Sequence, residues 1–523
     1  LYYTLLIKKK YNFSGGIKCL SINTELDNYI INYIPYPKEF FVHVKYNTLK
    51  KNMLRVKINQ KVLCGEPLTF GDCLSVPIHA PTSGLIKNIE FNSNCFGINK
   101  ENIKITIISD YLDQWIRLKK INNYKLYSPQ SLIKIIYRSG VVGLGGAYFS
   151  SSKKLMLSIN KVHTLVVNAV ESDPYITADY CLMNNYLNEI FIGCEIISWI
   201  SKVKNIFIVI QEDKIKLISQ IKLLIQNKPL FKICIFKKKY PAGSSKIIIQ
   251  SLTGKDIPYG QHSIDIGYLI FNIATVYAIK RAVINGEPLI QRIVSLYNDK
   301  NHLSKNFLIR IGTPINFFLN YLKIKNNLDY MIYIGGVFMN NILIDLNYSI
   351  SKDINCVLIR KYEKKTKKPI NYSCINCGYC VQVCPVNLLP QKLYLHSKYN
   401  HHEKAKSSYI MDCIECKICE KVCPSNIPLV KYFKREKIIQ NEIDTEIKRK
   451  KMFFNHFQQR EARILNQKTI VHENKNDFNN TNLMKFSVLE KTSKKEFVNK
   501  QEIEKNIRKE ILRSSIERAK LKK

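Results

Sequence analysis

Acidic side chains are in short supply. Only 41 Asp and Glu stand against 81 Lys and Arg in 523 residues, a formal charge of +40. That imbalance invites a nucleic-acid or lipid-surface reading. The Lys excess, however, comes with heavy use of Ile, Asn, Tyr and Phe, all encoded by A/T-rich codons. A codon bias accounts for all five residue types, whereas nucleic-acid binding accounts for Lys alone. No recognition motif supports nucleic acid as a partner, and attraction to anionic lipid or acidic proteins stays open. Long apolar runs are also lacking. No stretch of about 18 residues is free of charge or turn residues, which excludes a transmembrane helix. The opening LYYTLLIKKK has no apolar run long enough for a secretory leader. It begins at Leu1, so the true start is read as non-standard or missing.

Among the 16 cysteines, no pairing pattern links Cys19, Cys64, Cys73, Cys95, Cys181, Cys194, Cys234 and Cys356. These are expected to be free thiols. The other eight are ordered. CINCGYCVQVCP carries Cys374, Cys377, Cys380 and Cys384 before Pro385, and CIECKICEKVCP carries Cys413, Cys416, Cys419 and Cys423 before Pro424. C-x2-C-x2-C-x3-C-P, used twice, is how bacterial-type ferredoxins hold two [4Fe–4S] clusters. Three cysteines two residues apart wrap one cubane. The fourth faces away and reaches the other cluster, and the proline stops the next helix from running back into the loop. The expected ligand sets are therefore Cys374, Cys377, Cys380 and Cys423 for one cluster and Cys384, Cys413, Cys416 and Cys419 for the other. Structural zinc prefers paired C-x2-C knuckles, and disulfides do not fit a cluster that needs reduced thiolates, so the compartment expected is the cytosol.

Upstream, RVKINQKVLCGEPLTFGDCLSVPIHAPTSGLI alternates Val56, Ile58, Val62 and Leu63 into a Gly65-Glu66-Pro67 turn, and Pro77, His79, Pro81 and Gly84 frame a hairpin. It looks like a lipoyl/biotinyl-type β-sandwich hybrid, although no modifiable Lys stands at the tip of its turn. His79 reads as a turn histidine satisfied by backbone groups. From Ser128 an amphipathic helix runs into GVVGLGGAYF, whose Gly140, Gly143, Gly145 and Gly146 let backbone N–H groups approach a phosphate. This is not the dinucleotide fingerprint, because Tyr148 stands where its third glycine would fall. HTLVVNAV, NIFIVIQ and FKICIF then read as strands alternating with helices over Ala178 to Ile200 and DKIKLISQIKLLIQ. Function in such folds sits at the carboxyl ends of the strands. Asn168, Glu171, Asp173 and Asp179 fall there, as do Gln211, Glu212 and Asp213, residues suited to the hydroxyls of a ribityl or ribose chain. Asn272 and Thr275 follow a further strand-like run. Gly286-Glu287-Pro288 and Gly312-Thr313-Pro314 mark turns of a small β-containing domain, and Gly335-Gly336 another turn. His401 and His402 read as a solvated loop between the cysteine runs. The residues beyond about 440 read as a helical or disordered tail.

FSGGI, VLCGEPL, SVPIHAPTSG, GVVGLGGAYF, NAVESDPYITAD, KKYPAGSSK, TVYAIKRAVINGEPLI, IGTP and the two cysteine runs stand in this order. Together they make roughly residues 15 to 435 resemble the RnfC/RsxC family, the C-type subunits of Rnf/Rsx ion-translocating electron-transport complexes. The middle is similar to the NADH- and FMN-binding subunit of respiratory complex I. The resemblance implies a subunit without a transmembrane helix, docked peripherally at the cytoplasmic face of the bacterial inner membrane on partners of the Rnf A, B, D, E and G type. It implies electron transfer between NADH and ferredoxin or a similar acceptor through FMN and two clusters, in either direction, coupled to H+ or Na+ movement. It also places Gly143, Gly145, Gly146, Ala147 and Phe149 at FMN, Lys154 at the phosphate or nucleotide, Asn168, Glu171, Asp173, Asn272 and Thr275 around the flavin, and Glu212 near NADH. No side-chain acid or base is implied for hydride transfer itself. The chain departs from the family where GGAGFPT is here GGAYFSS, where NGAECEP is NAVESDP, and in a tail without the Ala-rich repeats of longer members. Tyr148 and Ser150 therefore raise a competing expectation, an electron-relay and docking subunit whose flavin site has decayed.

The architecture expected is α/β and multidomain. A lipoyl/biotinyl-like β-sandwich occupies 1–112, a Rossmann-like FMN/NADH domain 113–262, a small β-grasp-like (SLBB-type) domain 263–330 and a connecting segment 331–366. A two-cluster ferredoxin-like α domain follows over 367–435, and a basic tail over 436–523.

Overall fold

The computed structural model describes residues 10–18, 30–45, 54–72, 75–91, 102–146, 148–300, 303–324, 330–343, 345–361 and 372–476. Ala147, Cys19, Cys73, Cys95 and the tail beyond 476 lie outside them. Two compact units divide the chain: Leu1–Asn387 with Cys416–Asn426, and Leu388–Glu415 with Ile427–Lys523.

The first unit holds three sheets. One is antiparallel and four-stranded, in the order Glu39–Lys45, Asn102–Ser109, Gly84–Phe91, Lys61–Val62. Ile103, Ile105 and Ile107 alternate inward along one strand and meet Phe40 and Val42 in a core of their own, the two-residue period of a sheet with one buried face. Gly84 closes the hairpin at φ +154°, where a Cβ would fall 1.9 Å from the Ile108 carbonyl, so only glycine fits. His79 is buried here. Arg138 backbone meets one side of its ring, Nδ1 has no partner, and burial beside Lys352 lowers it to about 3. The expected full backbone satisfaction is thus only half met.

The second sheet is parallel and five-stranded, ordered Lys10–Tyr11, Phe231–Phe236, Asn205–Gln211, Thr164–Ala169, Tyr268–Asn272. Its strands are apolar almost throughout, as strands covered by crossover helices must be. The order reverses at Thr164–Ala169, whose neighbours are the next strand in sequence on one side and the last on the other. That reversal opens a crevice at the strands' carboxyl ends. The sheet takes in Tyr268–Asn272 and the helix Ile273–Lys280, beyond the boundary expected at 262.

The third sheet is mixed and six-stranded: Asn340–Ile342, Tyr330–Gly335, Cys356–Lys361, Gln291–Asn298, Leu303–Arg310, Ile31–Tyr33. Residues 330–361, nearly all within the connection expected over 331–366, supply half of its strands, because the apolar run CVLIRK pairs parallel to Gln291–Asn298. The two strands described before residue 34 were expected within the four-stranded domain. They edge the other two sheets instead.

The second unit is helical: Pro390–Lys398, His402–Ser407 and the 48-residue Leu429–Asn476. Tyr394 meets Tyr432 edge to face at 5.0 Å. His402 is not in a solvated loop. It is buried, with Nδ1 2.9 Å from Glu436 Oε1, and Gln440 Nε2 donates to the His402 carbonyl at 2.7 Å. The pairing residues lie one helical turn apart on the long helix and cover one another from water.

Arg310 ties the third sheet to the first. Its guanidinium grips Asp113 through two hydrogen bonds of 2.7 and 3.1 Å and donates to the Tyr36 hydroxyl at 2.8 Å and to the Pro81 carbonyl. Arg310→Met should leave Asp113 without its counter-charge and destabilise by about 3 kcal/mol, read by chemical denaturation. Adding Asp113→Asn should recover part of the loss.

Candidate functional site

The helix Pro129–Arg138 begins with Ser128 as its cap, accepting from Ser131 N, and Pro129 in its first turn. It delivers the chain to Gly140 at φ +67°, packed so closely that a Cβ would meet the Pro77 carbonyl at 2.4 Å. The loop beyond is anchored from three sides. Gly143 N–H donates to the Phe149 carbonyl at 2.8 Å. Leu144 N–H donates to Thr275 Oγ1 at 2.9 Å, and the Leu144 carbonyl accepts from Arg292 Nη2 at 3.2 Å. Gly145 lies against the Asn272 side chain. Gly145 and Gly146 are exposed, and a Cβ on Gly146 would meet nothing within 4 Å. Phe149 is exposed as well. Ser150 ends the loop as the cap of the helix Ser151–Ser158. Tyr148 takes φ +44°, the left-handed region that favours glycine, and its ring packs against the apolar core of the parallel sheet. Burial pushes its phenol up.

Asn272 caps the helix Ile273–Lys280 by accepting from Ala274 N at 2.9 Å, and its Nδ2 donates to Asp179. Asp179 is raised to about 6 by burial, against the pull of Asn272 and Arg292. Glu171 accepts from Asp179 N at 2.7 Å and Tyr180 N at 2.9 Å, so it caps the helix Ala178–Ser201. Burial first, then Asp179, hold its carboxyl well above the usual range. Lys154 Nζ donates to the Ile270 carbonyl and lies over the Phe271 ring at 5.0 Å. Burial lowers it to about 8. Asn168, in register with Asn272 on the neighbouring strand, donates to the Gly243 carbonyl at 2.9 Å.

The structure thus gathers Gly145, Asn272, Thr275, Asp179 and Glu171 beside the crevice. Asp173 and Glu212 make contacts within the protein itself. Asp173 accepts backbone N–H groups of Tyr175 and Phe338 and fills the space that a Cβ on Gly336 would need. Glu212 pairs with Lys10 at 2.9 Å, and that hydrogen bond lowers its carboxyl. Sequence reasoning passed over Arg292, although a cation inside the apolar strand run LIQRIVSL was a readable signal.

The two cysteine runs are folded alike. Asn376 and Gly378 in the first, Glu415 and Lys417 in the second, all have positive φ between 54° and 79°. Asn387 and Asn426, each three residues past the last cysteine of its run, are left-handed too. Successive backbone N–H groups in such turns form anion-receiving concavities. None of the eight cysteines is in a disulfide. Among the described residues, no three His, Cys, Asp or Glu converge as around a single metal ion. The thiolates of a cubane each address a different iron.

Tyr240 was also passed over. Its ring stacks on Phe338 at 4.1 Å, and its hydroxyl donates to the Cys416 carbonyl at 3.1 Å. Its backbone exchanges hydrogen bonds with Ile17. Gly16 N donates to the Val383 carbonyl at 2.8 Å, and a Cβ on Gly15 would lie 2.5 Å from the Cys384 carbonyl. The FSGGI turn is therefore wedged between the parallel-sheet domain and the first cysteine run.

Residues 11–110 match the RnfC barrel sandwich hybrid domain, 136–281 the Nuo51 FMN-binding domain, and 373–427 a 4Fe-4S dicluster domain. Together these define an electron-transport protein built on FMN and 4Fe–4S domains. The chain is similar to the C-type subunit of the ion-translocating oxidoreductase complex of Buchnera aphidicola subsp. Acyrthosiphon pisum (strain APS). Identity is 55% over 491 residues, 94% of this chain and 100% of that protein. The same subunit from Buchnera aphidicola subsp. Baizongia pistaciae (strain Bp) is 41% identical over 457 residues, 83% of this chain and 88% of that one. Among solved structures, an NAD+-reducing [NiFe]-hydrogenase in the H2-reduced state is 13% identical, with a TM-score of 0.44 over 60% of this chain and 62% of its own. The chain belongs to the RnfC family, the C-type subunits of ion-translocating oxidoreductase complexes.

Tyr240→Phe keeps the stack on Phe338 and removes one hydrogen bond, a change of about 1 kcal/mol. Amide hydrogen exchange over Cys416–Cys423 should speed up about fivefold while the parallel sheet stays as protected as before.

Proposed function

We propose that this subunit passes electrons between NADH and ferredoxin or a similar acceptor through FMN and two [4Fe–4S] clusters. On this reading it does so as a peripheral member of a membrane complex that couples the transfer to ion movement. The observation that carries the proposal is the bare backbone at Gly145 and Gly146, held in place by Thr275 and Arg292 at the switch point of a parallel sheet. Tyr148 turns its ring into the core, and Gly146 stays open, which supports a working flavin loop over a decayed one.

FMN, when bound, supplies a centre that accepts hydride and releases single electrons. The protein's part is position and exclusion of water. Gly143, Gly145, Gly146, Ala147 and Phe149 would line the flavin, with backbone N–H groups toward phosphate. Lys154 would add a positive charge. Asn272 and Thr275 would fix the loop, and Asn168 and Asn272 would offer amide groups to hydroxyls. Glu171 and Asp179 are held by helix ends and by Asn272, so they shape the floor rather than bind freely. Asp173 and Glu212 keep the flanking loops in place. Cys374, Cys377, Cys380 and Cys423 would hold one cluster and Cys384, Cys413, Cys416 and Cys419 the other. We read the four-stranded sandwich as the docking part, the mixed sheet as a β-grasp-like relay platform, and the site of assembly as the cytoplasmic face of the bacterial inner membrane.

Anaerobically purified, cluster-reconstituted protein should contain about eight iron, as two cubanes require, and one FMN per chain. NADH should bleach its flavin absorbance. The same iron without flavin would favour the relay reading, and Tyr148→Gly would then restore FMN binding. On the present reading Tyr148→Gly leaves flavin content unchanged.

The proposal also fixes a pH response. Lys154 is charged below about 8, and a phosphate prefers the ammonium, so FMN affinity should fall as pH rises through that value. Lys154→Gln should bind FMN at least tenfold more weakly at neutral pH, since a charge-assisted hydrogen bond contributes about 1.5 kcal/mol. Its affinity should no longer change across pH 8. Fluorescence titration of FMN into flavin-free protein reads both.

A further inference from the structure

The helix Leu429–Asn476 changes character along its length. Phe433, Glu436, Gln440 and Ile443 are buried, and Tyr432 and Glu436 meet Tyr394 and His402 of the helical unit. From Lys448 to Asn466 every described residue is exposed. Four large apolar side chains of this bare stretch share one side. Phe453 is 62% exposed, Phe454 52%, Phe457 54% and Ile464 41%. At about 100° per residue they fall within an arc of roughly 100°. Leu465 borders that arc, and Met452 stands apart from it. Phe454 stands eleven residues after Ile443, three turns on, so the face buried in the first half continues uncovered into the second.

The charges near this stripe are mostly basic, with Lys450 and Glu461 falling inside its arc. Lys448, Arg449, Lys450 and Lys451 precede it and Arg460 and Arg463 follow, while Glu461 is the one acidic residue between Ile447 and Asn466. A coiled-coil seam would fall on positions 450, 453, 457, 460 and 464. Lys450 and Arg460 occupy two of these five, so a partner helix, including one from a second copy, would bury charge in its core. A bilayer surface has the opposite requirements. Phenyl rings settle at the boundary of headgroup and acyl chain, and flanking Lys and Arg extend to lipid phosphates. Basic residues close to an anionic leaflet each add favourable energy.

We propose that Lys448–Ile464 is a lipid-contact segment. On this assignment it lies in the interface of an anionic bilayer with Phe453, Phe454 and Phe457 inserted and the surrounding cations on phosphate. The protein then touches the membrane itself as well as through protein partners. The proposal rests on the membrane-complex part of the reading above and is independent of its flavin chemistry.

The test uses the full chain, cluster-reconstituted, in flotation with phosphatidylglycerol/phosphatidylethanolamine vesicles and with phosphatidylcholine vesicles. A strongly basic chain adheres to anionic lipid in any case, so the deciding variant keeps every charge: Phe453→Ser/Phe454→Ser/Phe457→Ser. It should bind the anionic vesicles at least tenfold more weakly than the parent, with unchanged iron content and helicity. A tryptophan placed by Phe457→Trp should shift to the blue on those vesicles and not on phosphatidylcholine. Equal flotation of the triple-serine variant and the parent would overturn the proposal, as would an unshifted tryptophan on floated protein. Binding only to vesicles that carry the membrane partners would also overturn it, assigning the stripe to a protein partner. Parent protein that binds no lipid yet is reduced by NADH would sink the lipid contact alone. Parent that binds lipid and ignores NADH would sink the flavin reading alone.

Discussion

Backbone meets backbone where the Phe13–Ile17 turn lies against the loop that carries Cys384. Two consecutive glycines allow that approach, and no side chain fits at either. Electron transfer weakens steeply with separation, so a protein built for it must bring its redox-bearing segments together without intervening bulk. The turn joins the parallel-sheet domain to the first cysteine run by replacing side-chain packing with peptide contact. Tyr240 completes the seam, joined to Ile17 through its backbone and to Cys416 through its hydroxyl. Changes far in sequence from the two cysteine runs, at Gly15 or Phe338, therefore act on the cysteine loops through this seam.

The glycine loop depends on a second constraint, the matching of buried charge. Arg292 lies behind it, buried, with Leu144 and Lys352 carbonyls for partners and Asp179, then Asp353, as counter-charges. Burial lowers Arg292 to about 10 and raises Asp179 to about 6. Each is costly alone and tolerable beside the other. Lys352 sits in the same region, donating to the Gly140 carbonyl at 2.8 Å and lowered to about 7 by burial. The loop therefore rests on an interior in which buried charges of both signs are held against one another.

Much of this was readable beforehand. The strands Thr164–Ala169, Asn205–Gln211 and Phe231–Phe236 follow from local apolar runs, and the cysteine loops from spacing alone. What escaped was set by partners distant in sequence. His402 looked solvated because its neighbours are charged, yet Glu436 on the long helix buries it. Residues 330–361 looked like a connection because Cys356–Lys361 pairs with Gln291–Asn298, a strand far back in the sequence. Tyr148 looked obstructive because its residue type is legible and its ring direction is not. A left-handed backbone at that position sends the ring inward. Lys10–Tyr11 and Ile31–Tyr33 are too short to announce themselves, and only the sheet edges they cover explain them.

The pairing of Lys10–Tyr11 with Phe231–Phe236 also bears on how the chain comes to be assembled. This strand leaves the ribosome long before its neighbour, and the turn after it waits longer still for the loop around Cys384. Loops of that size close late, after local helices and hairpins have formed. A segment made before its partners is thus among the last to settle, and until it does, the outer edge of the parallel sheet stays open to other chains. Delivery of iron and sulfide would then be a step of folding as well as of cofactor loading, since filling the cysteine loops gives the waiting turn its surface.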